Sequence, residues 1–352
     1  MWRLETLLEP ASRVEGIPFR LAENSGIAFI GCYVLGMGFV LDPGEAQEWI
    51  AADARNAEVL FPYLNGEDLN QRPDASASRW VVDFNDWAEE RASEYSLPYR
   101  RLVERVKPER QRRKQDGEYA LRKPLPERWW QYGEKRPALR RAIADLSEVL
   151  VIARVSKTVM PLRMPTGPVA SEACVVFASA DFSMQAVLSS NLHQTWAITY
   201  GSTLETRIRY TPSDVFETFP RPPSTGRLGK AGRSLNEERR EIMLRRGFGL
   251  TRLYNLVNDP AVRSDSDITR LREIHVEIDE AVLESYAWSD IHLAPGFHTY
   301  RQMERWTFSP SARVEILDRL LIENHSRTGD DALPGSGRIH PEVETCEGAL
   351  FE

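Results

Sequence analysis

Residues 192–222, LHQTWAITYGSTLETRIRYTPSDVFETFPRP, are the segment around which this chain is organised. Gly201–Thr203 predicts a loop, and the residues after it, Leu204–Tyr210, alternate in polarity as a strand does. Thr211–Asp214 predicts a helix start, because a hydroxyl residue stands at the cap and proline follows at the first helical position. The stretch therefore predicts a short strand between a loop and a helix.

The predicted strand has one charged face. Its alternation places Leu204, Thr206 and Ile208 on one side and Glu205, Arg207 and Arg209 on the other. A row of charged side chains is unsuited to a core and suits a surface that meets hydrogen-bonding edges. The alternative for Glu205 and Arg207 is an ion pair on a solvated strand, which contributes little to stability.

Further motifs accompany this stretch along the chain. They are GCYVLGMGFVL and FPYLNGEDLN within Gly31–Asn70, WWQYG at Trp129–Gly133, IARVSKTVMPLRMPT at Ile152–Thr166, and GLTRLYN, LREIHVEID, YAWSDI and ILDRL within Gly249–Arg319. With the first stretch, they resemble MmeI-like, type IIL restriction–modification enzymes over roughly residues 19–326. Those single-chain enzymes join a nuclease, an adenine-N6 DNA methyltransferase, a sequence-reading domain and a C-terminal helical part. The resemblance implies that this chain corresponds to the last two parts and binds double-stranded DNA.

The catalytic motifs of that family are missing from the sequence. There is no glycine-rich adenosylmethionine loop, and the only Pro-Pro, Pro222-Pro223, follows Arg221 instead of the Asn, Asp or Ser that holds a flipped adenine. No Asp…Glu-x-Lys nuclease core occurs either. The resemblance therefore implies no catalytic residue and no cofactor in this chain, with S-adenosylmethionine expected only on a partner methyltransferase.

Three hypotheses for function follow. The first, which we adopt as the prediction, is a DNA sequence-recognition module that works with a separate adenine methyltransferase or nuclease chain. The second is a truncated remnant that folds but has lost its function. The third is an enzyme in its own right, which requires a constellation of side chains that the sequence does not contain.

Composition is that of a water-soluble globular protein. The 352 residues are 42% hydrophobic and 28% charged, and no run of 18 apolar residues or apolar leader occurs, which predicts a cytoplasmic protein without a membrane partner. Cys32, Cys174 and Cys346 are isolated, which argues against a zinc site.

Charge is unevenly distributed. The formal net charge is −7, yet Arg100–Arg141 holds 15 basic and 6 acidic residues, a local charge of +9. Arginine supplies the planar fork that recognises phosphate and guanine edges. This segment, together with Lys157, is therefore predicted to neutralise phosphates, and its Arg110–Arg128 part to form a DNA-contacting or merely solvated loop.

The pattern of elements predicts an α+β fold, in which a mixed-sheet target-recognition domain precedes a small helical domain. Strands are predicted within residues 27–41, 59–64, 80–84, 148–155 and 169–178, with a polar loop at 65–79. Helices are predicted after Asp42, within 89–114, at 183–196, and at 234–246, 249–258, 267–288 and after Ser309. The predicted divisions are a recognition domain at 1–222, a linker at 223–233, a helical domain at 234–326 and a disordered tail at 327–352.

The candidate DNA-contacting residues lie in two segments. They are Arg154, Ser156, Lys157, Thr158, Arg163, Ser202, Thr203, Glu205, Thr206, Arg207, Arg209, Tyr210 and Ser213. Arg207 or Arg209 is expected to bind guanine as a fork, and Glu205 to accept from the cytosine amine. His193 and Trp129–Tyr132 are predicted to be structural, because histidine has no catalytic partner at a definable spacing and tryptophan is usually buried.

Overall fold

A computed structural model describes Val14 and residues 16–204, 207–301 and 303–328. The strands are β1 (Ala28–Ile30), β2 (Val40–Leu41), β3 (Leu60–Leu64), β4 (Arg79–Val82), β5 (Glu148–Ala153), β6 (Val155–Ser156), β7 (Leu162–Pro165), β8 (Val169–Ala170), β9 (Cys174–Phe177), β10 (Ser202–Leu204), β11 (Arg207–Arg209), β12 (Gly296–Tyr300) and β13 (Met303–Thr307). The helices are α1 (Pro43–Ala52), α2 (Gly66–Gln71), α3 (Glu89–Ser93), α4 (Ser96–Arg105), α5 (Lys107–Arg110), α6 (Pro137–Ile143), α7 (Phe182–Ser189), α8 (Asn191–Tyr200), α9 (Gly226–Arg246), α10 (Leu250–Val257), α11 (Ser266–Ser285) and α12 (Pro310–Arg327).

The described strands form four sheets, of order β2-β4-β3-β8, β1-β9-β5-β7, β10-β11-β6 and β12-β13. The first sheet is mixed, because β3 pairs with β4 in antiparallel and with β8 in parallel orientation. This arrangement confirms the predicted α+β class with a mixed sheet.

Two hydrophobic cores hold these elements. The smaller core lies on the β2-β4-β3-β8 sheet and includes Phe39, Leu102 and the fully buried Trp129. Burial of Trp129, Trp130 and Tyr132 confirms that this aromatic run packs internally. The larger core joins the β1-β9-β5-β7 sheet to the C-terminal helices, so a single apolar interior crosses the predicted boundary at residue 222.

Three predictions of local secondary structure differ from the structure, at residues 65–79, 183–196 and 211–214. The predicted loop at 65–79 begins with helix α2, whose Asn65 and Asp68 form a reciprocal capping box. The predicted helix at 183–196 is two helices, α7 and α8, meeting at Ser190, and they are buried on nearly all sides instead of being amphipathic. The predicted helix start at 211–214 is wrong, because these residues form hydrogen-bonded turns with Val215 N–H donating to Thr211 O at 3.0 Å.

The predicted linker at 223–233 is helical over most of its length. Helix α9 begins at Gly226, with the Thr225 side chain accepting from Leu228 N–H as its cap. Glycine serves close packing here: a Cβ at Gly232 would lie 2.0 Å from the Phe182 carbonyl oxygen. The small residues that resembled a flexible connection allow α9 to approach α7.

We expect Gly232→Ala to lower the free energy of unfolding by about 1–3 kcal/mol, because α9 and α7 must separate to admit the methyl group. Denaturant titration measures this loss. The matched control is Gly229→Ala in the same helix, where a Cβ would meet only Ser183 Oγ at 3.4 Å. This control should be neutral or stabilising, since alanine favours a helix by about 1 kcal/mol over glycine. Equal losses in the two variants would contradict close packing at Gly232.

Only the first two residues of the predicted disordered tail at 327–352 are among the described residues. Helix α12 continues to Arg327, so the first residue of the predicted tail is helical. Residues 329–352, including Cys346, lie outside the described residues. Within the described ranges, every helix is too short or too polar to cross a membrane.

Candidate nucleic-acid interface

The predicted strand at 204–210 is part of a hairpin. Strand β10 pairs with β11 so that Leu204 lies opposite Arg207, and β11 pairs in turn with β6. The predicted alternation holds within β11, because Arg207 and Arg209 are exposed while Ile208 between them is buried. Pairing of Arg209 with Val155 sets the hairpin beside the Arg154–Thr158 turn. The two segments predicted to contact DNA therefore meet on a single three-stranded sheet.

A cleft of about 760 Å³ opens at this sheet. Its lining residues are Gly66, Glu67, Asn70, Gln71, Arg154, Val155, Ser156, Lys157, Thr158, Glu172, Ala173, Arg207, Arg209, Thr251, Tyr254 and Asn255. Helices α2 and α10 thus complete the cleft that β6 and β11 begin. Six of the predicted DNA-contacting residues are brought together here: Arg154, Ser156, Lys157, Thr158, Arg207 and Arg209.

The cleft is positive although the chain is acidic. Its described lining residues include four cations and two carboxylates, Glu67 and Glu172, whereas the whole chain has a net charge of −7. Burial lowers the pKa of Arg154, and the charges of Arg209 and Arg136 lower it further. The Arg154 Nε also has no hydrogen-bond partner among the described residues. Such a cluster is a favourable environment for an anion.

Backbone contacts fix the Arg154–Thr158 turn, which includes the short strand β6 and carries two of these cations, Arg154 and Lys157. Arg154 N–H donates to Ala173 O at 2.8 Å, and Tyr210 N–H donates to Arg154 O at 2.7 Å. Thr158 N–H donates to Ser156 Oγ at 3.3 Å, and the Lys157 carbonyl accepts from Arg305. The Lys157 side chain itself is exposed. The turn is held by its backbone, which leaves the ammonium group available to a ligand.

Sequence reasoning missed the other side of the cleft. Glu67, Asn70 and Gln71 come from α2, and Thr251 and Asn255 from α10. The signal for α2 was present in the capping-box spacing of Asn65 and Asp68. Nothing in the pattern placed α2 against α10, a contact that depends on Gly249, where a Cβ would lie 2.3 Å from the Gln71 carbonyl carbon.

Several predicted residues lie outside this cleft. Tyr210 is 1% exposed and its hydroxyl lies 2.9 Å from His193 Nε2, so it belongs to the core. Burial lowers the pKa of His193 to about 3, which keeps the ring neutral and agrees with a structural role. The Arg163 side chain is 9% exposed, pairs with Glu148 at 3.2 Å and covers the Phe182 ring. We therefore withdraw Tyr210 and Arg163 as DNA-contacting residues.

The remaining candidates have other positions. Ser202 is exposed on β10 and its hydroxyl donates to Arg209 O at 3.5 Å. Ser213 donates to Asp214 at 2.8 Å, away from the cleft. Thr203 is part of β10. Glu205 and Thr206 lie outside the described residues, so their roles stay predictions.

Part of the positive charge of Arg100–Arg141 is used inside the fold. Arg101 is buried and pairs with Glu45 at 2.8 Å. Arg110 is buried and donates to Val34 O at 2.8 Å, and Arg140 pairs with the buried Asp83. These arginines are withdrawn as phosphate contacts, because their guanidinium groups satisfy buried carbonyls and carboxylates. The prediction stays open for exposed members such as Arg112.

A second cleft of about 560 Å³ adjoins the first and shares Lys157, Thr158 and Asn255 with it. Its far side includes Glu304 and Arg305 of the β12–β13 hairpin. No strand was predicted at residues 296–307, since the run lacks clean alternation. The end of the Arg154–Thr158 turn and helix α10 therefore line both clefts.

Comparison with known proteins identifies the family. The family model described as "MmeI, target recognition domain" matches residues 30–223, more than half of the chain. Among solved structures, the type IIL restriction–modification enzyme MmeI in complex with DNA matches with a TM-score of 0.59 and 16% identity, over 91% of this chain and 37% of that chain. At that identity the likeness shows the fold alone, and the chain spans well under half of that enzyme. No curated protein matches. The chain belongs to the family of MmeI target recognition domains.

Proposed function

We propose that this chain recognises a short sequence in double-stranded DNA for a restriction–modification enzyme. The observation that carries the proposal is the convergence of Arg154, Lys157, Arg207 and Arg209 in one cleft of an acidic chain. Gathering like charges in one place costs free energy, which a bound polyanion offsets. Membership of the target-recognition family and the DNA in the related MmeI complex support DNA as that polyanion.

The Arg154–Thr158 turn is suited to phosphate. Lys157 is exposed there and makes no ion pair with any described residue, and Ser156 and Thr158 line the cleft beside it. Lysine and hydroxyl side chains are common phosphate partners, and such contacts fix the position of the protein without reading sequence. This turn would hold the duplex in register.

The β10–β11 hairpin is suited to base edges. Arg207 and Arg209 emerge on the same side of β11, with Ile208 anchoring the strand in the core. A guanidinium fork matches the O6 and N7 acceptors of guanine in the major groove. Glu205 would accept from a cytosine amine, and Ser202, Thr203 and Thr206 would accept from or donate to either base.

Catalysis would reside elsewhere. A separate adenine methyltransferase or nuclease chain would act on the site that this module selects, and S-adenosylmethionine would be bound by that partner. Both would work in the cytoplasm. Supporting this division is the absence from the sequence of an adenosylmethionine loop, a flipped-adenine tetrapeptide and a nuclease core.

The chain should bind duplex DNA with an affinity that falls steeply as salt rises, because neutralised phosphates release counterions. Titration of a labelled, mixed-sequence duplex at several salt concentrations measures the slope, which is about −0.9 for each phosphate neutralised. A matched control is Arg270→Ala, which removes one cation from an exposed ion-pair cluster with Glu273 and Glu277. It should leave the slope unchanged. Absence of binding at low salt, or binding without salt dependence, would overturn the proposal.

A further inference from the structure

We infer that helix α10 is a second base-reading surface, in which Asn255 recognises adenine. The inference rests on the DNA recognition proposed above and concerns an element outside the 30–223 segment that matches the family model. Helix α10 has two distinct faces: Leu250, Leu253, Tyr254 and Val257 are buried, whereas Thr251 and Asn255 are exposed. A helix with one buried stripe and one polar stripe presents the polar one to solvent or to a ligand.

The polar face of α10 lies in the same cleft as the hairpin arginines. Thr251 and Asn255 are four residues apart, which makes them neighbours on the helix surface, and both line this cleft with Arg207 and Arg209. Asn255 also lines the adjoining cleft that Arg305 borders. Asn255 therefore lies where the two clefts meet. A DNA duplex that contacts Arg209 and Lys157 would pass over the same surface.

Contacts at both ends hold α10 rigidly. At its start, Gly249 packs directly on the α2 backbone. At its end, Arg272 donates to Val257 O at 2.9 Å and to Leu256 O at 3.2 Å. Asn258 Nδ2–H donates to Tyr254 O at 2.9 Å, and its Oδ1 accepts from Trp306 N–H at 3.0 Å. A side chain on such a fixed element keeps the orientation that sequence reading requires.

The chemistry of Asn255 selects a base edge over a phosphate as its ligand. Its carboxamide is exposed and makes no hydrogen bond with any described residue, so both its donor and its acceptor are available. An asparagine amide pairs in bidentate fashion with adenine, donating to N7 and accepting from the N6 amine. Because the amide is uncharged, it contributes little to salt-dependent affinity. Its contribution is to sequence preference.

The test is selection from a randomised duplex by the full chain at low salt, for the wild type and for Asn255→Ala. The wild-type motif should include an A·T pair whose preference falls roughly 5- to 150-fold in the variant, at an unchanged salt slope. Asn255→Asp keeps the acceptor and loses the donor, so preference at that pair should move toward cytosine, whose amine donates. Unfolding midpoints equal to that of the wild type would show that both variants are folded.

The control is Arg252→Ala on the same helix, whose guanidinium lies 4.0 Å from the centre of the Phe248 ring and lines neither cleft. It should leave the selected motif unchanged. An unaltered motif in Asn255→Ala, or a loss shared by all sequences, overturns the inference while recognition by the hairpin stands. Failure of the wild type to enrich any motif overturns the proposed function and this inference with it.

Discussion

Removing both hairpin arginines, Arg207→Ala with Arg209→Ala, is expected to weaken binding of the preferred duplex about 30-fold or more. Each fork bound to guanine contributes about 1–3 kcal/mol of discrimination, and the two side chains lie on one face of β11. Their effects need not add, because neighbouring residues couple. Selection on randomised duplex, followed by competition titration of the preferred and a scrambled duplex, measures the loss at each base pair.

The contrast with Lys157→Ala makes this result specific. Loss of a phosphate contact should weaken binding to all sequences alike and reduce the salt slope by about one, since a phosphate carries no sequence information. The arginine variants should instead lose preference at one position each. If the double variant selects the wild-type motif, the reading strand lies elsewhere and the hairpin assignment is wrong.

The sequence predicted two segments on one side of the cleft, the Arg154–Thr158 turn and the strand at 204–210. It did not predict that these segments pair with each other. Alternation around Ile208 located the exposed arginines, and the end of the strand predicted at 148–155 located the Arg154–Thr158 segment. Their meeting depends on the pairing of Arg209 with Val155, across more than fifty residues of chain. Long-range register is set by burial of one strand face, which local pattern does not reveal.

Arginine content was a weaker guide to the interface. Arginine can bind phosphate at the surface or donate hydrogen bonds inside the fold, and the sequence does not distinguish the two roles. The structure distinguishes them, because the arginines with the second role are buried. Arg101, Arg110, Arg239, Arg272 and Arg305 are all buried. Each donates to backbone carbonyl oxygens that would otherwise lack partners. The positive charge of residues 100–141 therefore overstated the surface available to DNA.

The other side of the cleft was not predictable from one sequence. The polar residues of α2 were assigned to a loop, and the helix predicted at 249–258 was assigned to a separate helical domain. Two short helices were brought together by Gly249, whose missing side chain permits contact with the α2 backbone. A glycine in a sequence signals either a turn or a close approach, and only the fold decides between them.

The largest effect on stability is expected at Arg272, which supports the end of α10. Its guanidinium donates to the carbonyl oxygens of Leu256, Val257, Asp259 and Val262, at 2.6–3.2 Å. It is 7% exposed and its guanidinium lies against the neighbouring rings of Phe297 and Trp306. One side chain from α11 thus supplies a donor to Val257 O and Val262 O. It is a second donor for Leu256 O and Asp259 O, which already accept from the N–H groups of Asp259 and Val262.

Arg272→Leu is therefore expected to lower the free energy of unfolding by about 2–5 kcal/mol, since Val257 O and Val262 O lose their donor and each carbonyl left without one costs about 1–3 kcal/mol. Arg272→Lys should lose less, because one ammonium group reaches some of these oxygens but not all of them. Arg270→Ala, two residues earlier on α11, removes only exposed ion pairs with Glu273 and Glu277 and should cost less than about 1 kcal/mol. Denaturant titration of the three variants orders them. A loss in Arg272→Leu no greater than in Arg270→Ala would show that the carbonyl groups find other partners and that α10 does not depend on this arginine.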